Sequence, residues 1–326
     1  MRVLIFGASG YIGQRATRRL VADGHSVTGF VRNDKGATAV ESLGARAITA
    51  GLDDTAATQA ALESHDAMLW LAQLTLPEEK RVIGEFLKAL RGTGKTFIFT
   101  GGASVLSEPT KGEWSDNAFA ETDSFIPRGP LAIRAETELV VRTAAQYGVR
   151  AIAVRPPLVY GHGGCKVISD IYHSARKTGA VCYVGRGLNV YSSVHVDDLA
   201  HLFSLALERG KAGALYHCVA AEVSFRAMAE TIARHLGVGT RSVTVKEAQE
   251  IWDKFSGTTV FSSCSRLRSP IARAELGWQQ QPERSDILEE CLHPAYAAEA
   301  ERTLASWIKP TGASATHVDS AGAERH

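Results

Sequence analysis

Over the first 100 residues, short apolar runs alternate with stretches whose apolar residues recur every three or four positions. Val3-Leu4-Ile5-Phe6 is an unbroken apolar run, as expected of a strand covered on both faces. Residues 12–23 place Ile12, Ala16 and Leu20 on one side of a helix that ends at Asp23-Gly24. The pattern then predicts a strand at 25–31, a helix at 37–43, a strand at 45–49, a helix at 56–62, a strand at 67–71, a helix at 78–90 and a strand at 96–100. Further on, a helix at 131–147 is expected to bury Leu139, Val140 and Ala144 and to stop at Gly148. A strand at 150–154 follows and ends at Arg155-Pro156-Pro157, where two prolines cannot continue a sheet ladder. A helix at 196–208, a short strand at 215–219 and a helix at 225–236 complete the regular pattern. Strands separated by helices of this length need crossover connections, and those produce a parallel sheet.

The expected fold is therefore α/β: a doubly wound parallel sheet with a smaller C-terminal, substrate-binding portion. Residues 1–157 with about 190–220 form the sheet core. The less regular stretches, about 158–189 and 221–305, are expected over the carboxyl ends of the strands, where they shape a pocket. Residues from about 306 to 326, rich from 311 onward in Thr, Ala, Gly, Ser and His, read as a mobile tail.

Composition narrows the partners. The chain has 326 residues, 45% hydrophobic and 22% charged, and its 36 Lys and Arg against 35 Asp and Glu give a net charge of +1. Nothing in that balance attracts a polyanion, so no nucleic-acid partner is expected. The five cysteines, Cys165, Cys182, Cys218, Cys264 and Cys291, are scattered and form no CxxC pair. They fit a reducing compartment and give no zinc signature, and HExxH is absent too. The apolar run at residues 3–6 stops at Gly7, too short for a secretory core, and no stretch reaches membrane-spanning length. A cytoplasmic location without membrane attachment is expected.

The strongest local motif is Gly7-Ala8-Ser9-Gly10-Tyr11-Ile12-Gly13, which follows a strand and opens a helix. Gly7 permits a tight turn, Gly10 lets backbone approach a pyrophosphate, and Gly13 lets helix pack on sheet. The phosphate charge then meets the helix N-terminus. This is a Rossmann-type dinucleotide loop, to which Ser9, Tyr11 and Ile12 also belong. At the end of the second strand the chain reads Phe30-Val31-Arg32-Asn33-Asp34-Lys35, without the acid that usually binds the ribose hydroxyls of NAD. Arg32 can pair with a 2′-phosphate and stack on adenine, with Lys35 assisting, although Asp34 can neutralise Arg32. The expectation from these residues is NADP(H) ahead of NAD(H).

Beyond that loop, FIFTGGASVLS at 97–107, RPPLVYG at 155–161, VHVDDLA at 194–200 and Leu276-Gly277-Trp278 occur in order. Together they resemble the short-chain dehydrogenase/reductase superfamily, in its extended and atypical, epimerase/dehydratase-like branch, over about residues 1–295. The resemblance implies that Ala72 lines the cofactor ribose, that Thr100 and Gly101 lie beneath the nicotinamide, and that Pro156 contacts the nicotinamide end. It gives His195, Asp197 and Asp198 a role in the frame. It also implies a Ser or Thr, a Tyr, and a Lys four residues after the Tyr as catalytic machinery. Here the corresponding helix reads Pro130-Leu131-Ala132-Ile133-Arg134-Ala135-Glu136-Thr137-Glu138. Pro130 takes the Tyr position and Arg134 the Lys position. Proline has no proton to give, and arginine grips ribose hydroxyls but does not titrate.

The substitutes are Ser104 near the usual Ser position, Tyr191 in a segment bordering the pocket, His162 after the VYG turn, and Asp116 in the loop before the helix at 131. A histidine titrates near neutrality, and a carboxylate can serve as base. Three functions stay open. The first is an atypical NADP(H)-dependent oxidoreductase that reduces a carbonyl or conjugated alkene of a small, largely apolar organic substrate. The second is a non-redox isomerase, cyclase or dehydratase on the same frame. The third is a non-catalytic NADP(H)-binding regulator. The resemblance also makes a homodimer possible through the helices at 78–90 and 131–147.

Overall fold

The computed structural model describes residues 1–299. Through residue 155 the elements are β1 (Arg2–Phe6), α1 (Tyr11–Ala22), β2 (Ser26–Val31), α2 (Asp34–Glu41), β3 (Arg46–Thr49), α3 (Thr55–Ser64), β4 (Ala67–Trp70), α4 (Leu76–Ala89), β5 (Thr96–Thr100), α5 (Leu131–Thr143) and β6 (Arg150–Arg155). The second half adds β7 (Leu158–Tyr160), α6 (Lys166–Thr178), β8 (Val181–Val184), β9 (Val190–His195), α7 (Val196–Arg209), β10 (Leu215–His217), β11 (Ala221–Ser224), α8 (Phe225–Leu236), β12 (Thr240–Val243), α9 (Val245–Ile251), α10 (Pro270–Leu276), α11 (Ile287–Glu290) and α12 (Pro294–Glu299).

The alternating side chains of β1 explain why it lies mid-sheet. Val3 and Ile5 enter one buried cluster, with Ala16 and Leu20 of α1 and Leu199, Leu202 and Phe203 of α7. Leu4 and Phe6 enter the opposite cluster, with Trp70 of β4 and Ile83 and Phe86 of α4. A strand apolar on both faces needs helices above and below it. The main sheet has the order β10-β6-β5-β4-β1-β2-β3, and all its pairings are parallel. Strand order reverses between β1 and β4, and ligands of such sheets lie outside the carboxyl ends of the strands at that reversal.

Among the described residues, the stretches that look irregular in sequence are ordered. β11, β9 and β7 form a small sheet, β12 pairs with β8, and α6, α8 and α9 cover them around a second core that includes Tyr191, Phe225, Trp252 and Phe261. Ala272, Leu276 and Trp278, expected in the substrate portion, pack into the cluster of Val3 and Ile5 instead. α5 also departs from expectation. Leu139 and Val140 face outward, while Leu131, Thr137, Glu138 and Val141 face inward. The cause is Glu138, an acid on the core side that disguises the apolar stripe. It is held there by a buried bidentate pair with Arg155, at 2.6 and 2.7 Å. All five cysteines are free and buried. Among the described residues no helix is long and apolar enough to cross a membrane. The expected tail, 306–326, lies outside the described residues.

Candidate functional site

At the end of β1 the chain turns through Gly7, whose φ of +83° favours glycine. A β-carbon at Gly13 would lie 2.0 Å from the Gly7 carbonyl oxygen, so α1 crosses the turn with no room for a side chain. Gly10 caps α1 without a side-chain hydrogen bond, and no acid lies in the first turn. The first N–H groups of the helix are thus left to an external anion at its positive end. A dinucleotide pyrophosphate fits this backbone. Tyr11 starts the helix and donates its hydroxyl to Gly161 O at 2.8 Å, tying the loop to the turn after β7. Ser9 O accepts from Gln14 at 2.8 Å, and Ile12 packs at the edge of the Val3 cluster. Ala72, just beyond β4, is half-buried beside the opposite cluster. Arg32 and Lys35 are exposed cations without a hydrogen-bonding partner among the described residues, and Asn33 caps α2.

The second half of the site forms at the end of β5. Thr100 Oγ1 is buried without a partner among the described residues. Arg134 reaches from α5 and donates to Gly101 O at 3.4 Å. Its other arm lies 3.0 Å from Glu79, and its Nε is buried and unpartnered among the described residues. Ser104 Oγ and Arg134 Nη1 lie 3.8 and 3.9 Å from the place a Gly102 β-carbon would take, so both border the same small space. Pro156 O accepts from Ala103 N at 3.0 Å, which fixes the turn that carries Ser104. Pro130 caps α5 and contributes no donor. A polar mouth with an unused guanidinium N–H and an unused hydroxyl suits the ribose and amide end of a dinucleotide.

Glu79 is the residue that sequence reasoning missed. It is 1% exposed and accepts from Trp70 Nε1 at 3.3 Å. Burial raises its pKa, while Arg134 and Trp70 pull it down. In sequence it is one of two adjacent acids in the first turn of α4, where acids are favoured by the helix dipole, so nothing separates it from Glu78. A second buried polar knot lies behind, where Arg155 stacks over Phe125 at 4.6 Å and touches His217 at 3.4 Å. Burial and the neighbouring Arg155 push the His217 pKa down to about 4, so His217 is neutral at physiological pH.

Of the remaining candidates, Tyr191 lies beside the turn that carries Ser104, while Asp116 and His162 have partners of their own elsewhere. Tyr191 sits in the second core, edge-on to Phe225, and donates to Thr259 O at 3.0 Å. Its pKa is raised by burial. Its hydroxyl also neighbours Ser107, three residues beyond Ser104, so its proton is already engaged within the fold. Tyr191→Phe is expected to leave catalytic turnover unchanged and to cost about 1 kcal/mol of stability for one buried hydrogen bond. Thermal unfolding beside steady-state rates checks this, and a large fall in turnover would restore Tyr191 as a donor. Asp116 is exposed and accepts from Trp114 Nε1 at 2.8 Å, within a loop whose Trp114 stacks on Arg266. His162 lies 2.8 Å from Asp197 at the start of α7. The buried Asp198 accepts from Arg284 at 3.0 Å and takes the Trp278 indole N–H on its carbonyl at 3.0 Å.

Comparison with known proteins adds to this geometry. Residues 3–219 match the NAD dependent epimerase/dehydratase family. The chain is 31% identical over 307 residues to an uncharacterized protein of Schizosaccharomyces pombe, covering 91% of this chain and 100% of that one. It is 26% identical over 227 residues to the 4-hydroxy-2-methyl-3-oxo-4-farnesyl-3,4-dihydroquinoline-1-oxide ketoreductase of Stigmatella aurantiaca, covering 66% and 67%. Among solved structures, the dTDP-glucose 4,6-dehydratase DesIV of Streptomyces venezuelae with NAD and TYD bound superposes with a TM-score of 0.73 at 19% identity, covering 93% of this chain and 98% of that one. At that identity the likeness shows the fold. The expectation of NADP(H) is overturned here: the matching family is NAD dependent, and the similar structures described with a dinucleotide hold NAD. Physically, Arg32 and Lys35 are exposed cations beside Asp34, and their charge alone does not specify a 2′-phosphate.

Proposed function

The chain belongs to the NAD dependent epimerase/dehydratase family, and on that premise we propose that it is an NAD(H)-dependent oxidoreductase reducing a carbonyl on a small, largely apolar organic substrate. The observation that carries this reading is the convergence of Arg134, Ser104, Gly101 and Thr100 at the end of β5. NAD(H), when bound, supplies the hydride. The glycine loop at 7–13 and the open N–H groups of α1 hold the phosphates. Arg134, in the position of the family's Lys, holds ribose hydroxyls. With Ser104 it also meets the charge that develops on the substrate oxygen. Fixed donors aimed at developing charge are worth several kcal/mol of barrier in a site closed to water. Arg134 gives up no proton, so the oxygen takes its proton from water or through the Ser104 hydroxyl.

Two features support an apolar ketone. The turn that carries Ser104 packs Ala103, Val105 and Leu106 beside Phe119 and Phe125, an apolar wall next to the polar mouth. The ketoreductase of Stigmatella aurantiaca acts, by its name, on an oxo compound that bears a farnesyl group. Calorimetric titration with NADH, NADPH and their oxidised forms tests the cofactor. A panel of ketones, conjugated enones and 4-oxo sugar nucleotides, followed by NADH oxidation, tests the substrate. We expect micromolar NADH binding and turnover of an apolar ketone. Turnover of sugar nucleotides alone would move the substrate class, and no binding by any dinucleotide would overturn the redox reading.

A further inference from the structure

Away from the end of β5, the fold brings the imidazole of His162 up to His195 and Asp197, which lie more than 30 residues further along the chain. His162 lies in the turn after β7, His195 ends β9, and Asp197 lies in the first turn of α7. One ligating atom of each falls within 4.8 Å of the other two. Asp197 Oδ2 is 2.8 Å from His162 Nε2 and 3.8 Å from His195 Nδ1. We propose that His162, His195 and Asp197 form a binding site for one divalent transition-metal ion of the zinc class.

The spacing suits such an ion. Imidazole and carboxylate atoms bind zinc at about 2.0–2.2 Å, which puts neighbouring ligands of a tetrahedron about 3.4 Å apart. The two separations measured from Asp197 bracket that value, and the two imidazoles offer nitrogens within 4.8 Å of one another. Two imidazoles with one carboxylate are a donor set that favours zinc, cobalt or nickel over magnesium or calcium. His195 is buried and Asp197 largely so, while the His162 side chain is 40% exposed. That leaves a side open for a water ligand and for entry.

The backbone conformation of the turn presents the imidazole. His162 has φ +56°, a left-handed conformation that non-glycine residues rarely adopt, and it stands between Gly161 and Gly163, both also at positive φ. Glycine would occupy position 162 without strain, yet the chain places an imidazole there and aims it at Asp197. Arg284 is the opposing charge, 3.6 Å from Asp197. It sits nearer Asp198, at 3.0 Å, so it keeps a carboxylate when a cation takes Asp197. His195 Nδ1 accepts the Asp197 N–H at 3.2 Å, a long contact that the cation replaces. The turn that carries His162 also receives the Tyr11 hydroxyl on Gly161 O. A metal here clasps the nucleotide loop to α7.

The test uses the full chain without an affinity tag, stripped with a chelator and titrated with zinc chloride by calorimetry. Cobalt chloride, followed by visible absorption, reports ligand geometry. One zinc per chain with micromolar Kd, a tetrahedral cobalt spectrum and a raised Tm are expected. His162→Gly removes a ligand while relieving the strained backbone, so it folds at least as well as the parent. It should weaken zinc binding at least about tenfold, the lower range for disturbing a metal site. Asp197→Asn should do the same. The five cysteines are buried and offer no competing site. Absence of binding below millimolar zinc, or undiminished binding by His162→Gly, would overturn the proposal.

Discussion

Gly13→Ala is expected to weaken dinucleotide binding by up to about a hundredfold while leaving a folded chain. Its β-carbon would stand 2.0 Å from the Gly7 carbonyl oxygen and 2.9 Å from the Ala8 backbone, contacts that no side-chain rotation relieves. Either α1 moves away from the sheet or the Gly7 turn opens. Both displace the N–H groups that would hold phosphate. Overpacking of this kind costs about 1–3 kcal/mol. If that cost falls on the binding-competent conformation, about 3 kcal/mol corresponds to a hundredfold loss of affinity. Gly10→Ala separates packing from ligand approach. Its β-carbon meets only the Gly7 oxygen, at 3.2 Å, so the chain itself accommodates it with a small shift. Loss of NADH affinity in Gly10→Ala with an unchanged Tm would show that backbone comes up against the phosphates at that point. Calorimetry and thermal unfolding of both variants are the measurements. Gly13→Ala protein that binds NADH like the parent would remove the loop from the site.

The sheet was legible because its signals are local and redundant. β1 carries four apolar residues in a row, α8 was expected at 225–236 and lies at Phe225–Leu236, and GASGYIG sits where a turn must pass from strand to helix. Legibility failed where a polar group faces inward. Glu138 enters the core only because Arg155 meets it there, and that partnership crosses from α5 to β6, so the periodicity of α5 alone pointed Leu139 and Val140 the wrong way. Glu79 was invisible for the same reason: its partner Arg134 lies on another helix. Arg134 and Ser104, both singled out from the motifs in sequence, lie together at the end of β5. The partners of Tyr191 were not legible, because the small β11-β9-β7 sheet looks irregular in sequence and its packing on Phe225 comes from a distant segment. The His162, His195 and Asp197 group joins two separate segments, and no spacing rule along the chain connects them.

Arg134→Met is expected to destabilise the protein by about 3–5 kcal/mol at neutral pH, because it strands the Glu79 carboxylate in the interior. In the parent, burial already raises the Glu79 pKa above 4.5, and Arg134 is the first of the groups opposing that rise. Removing the guanidinium raises it further. A carboxyl whose folded pKa exceeds its unfolded value binds its proton more tightly in the folded state. Its favourable effect on stability is complete below about pH 4.5, the unfolded value, and is lost as pH climbs through the folded pKa. The destabilisation of Arg134→Met should therefore be large at neutral pH and shrink as the medium is acidified toward that value. Denaturant unfolding at both ends of this window measures it. Combining the change with Glu79→Gln leaves no charge behind, so the double variant should recover most of the lost stability and lose the added pH dependence. Equal destabilisation at both pH values, or no recovery in the double variant, would show that Arg134 does not neutralise Glu79. The same double variant isolates chemistry from folding. If Arg134 meets the reacting oxygen, the refolded, stable double variant still turns over no ketone, whereas restored turnover would confine Arg134 to balancing one buried acid.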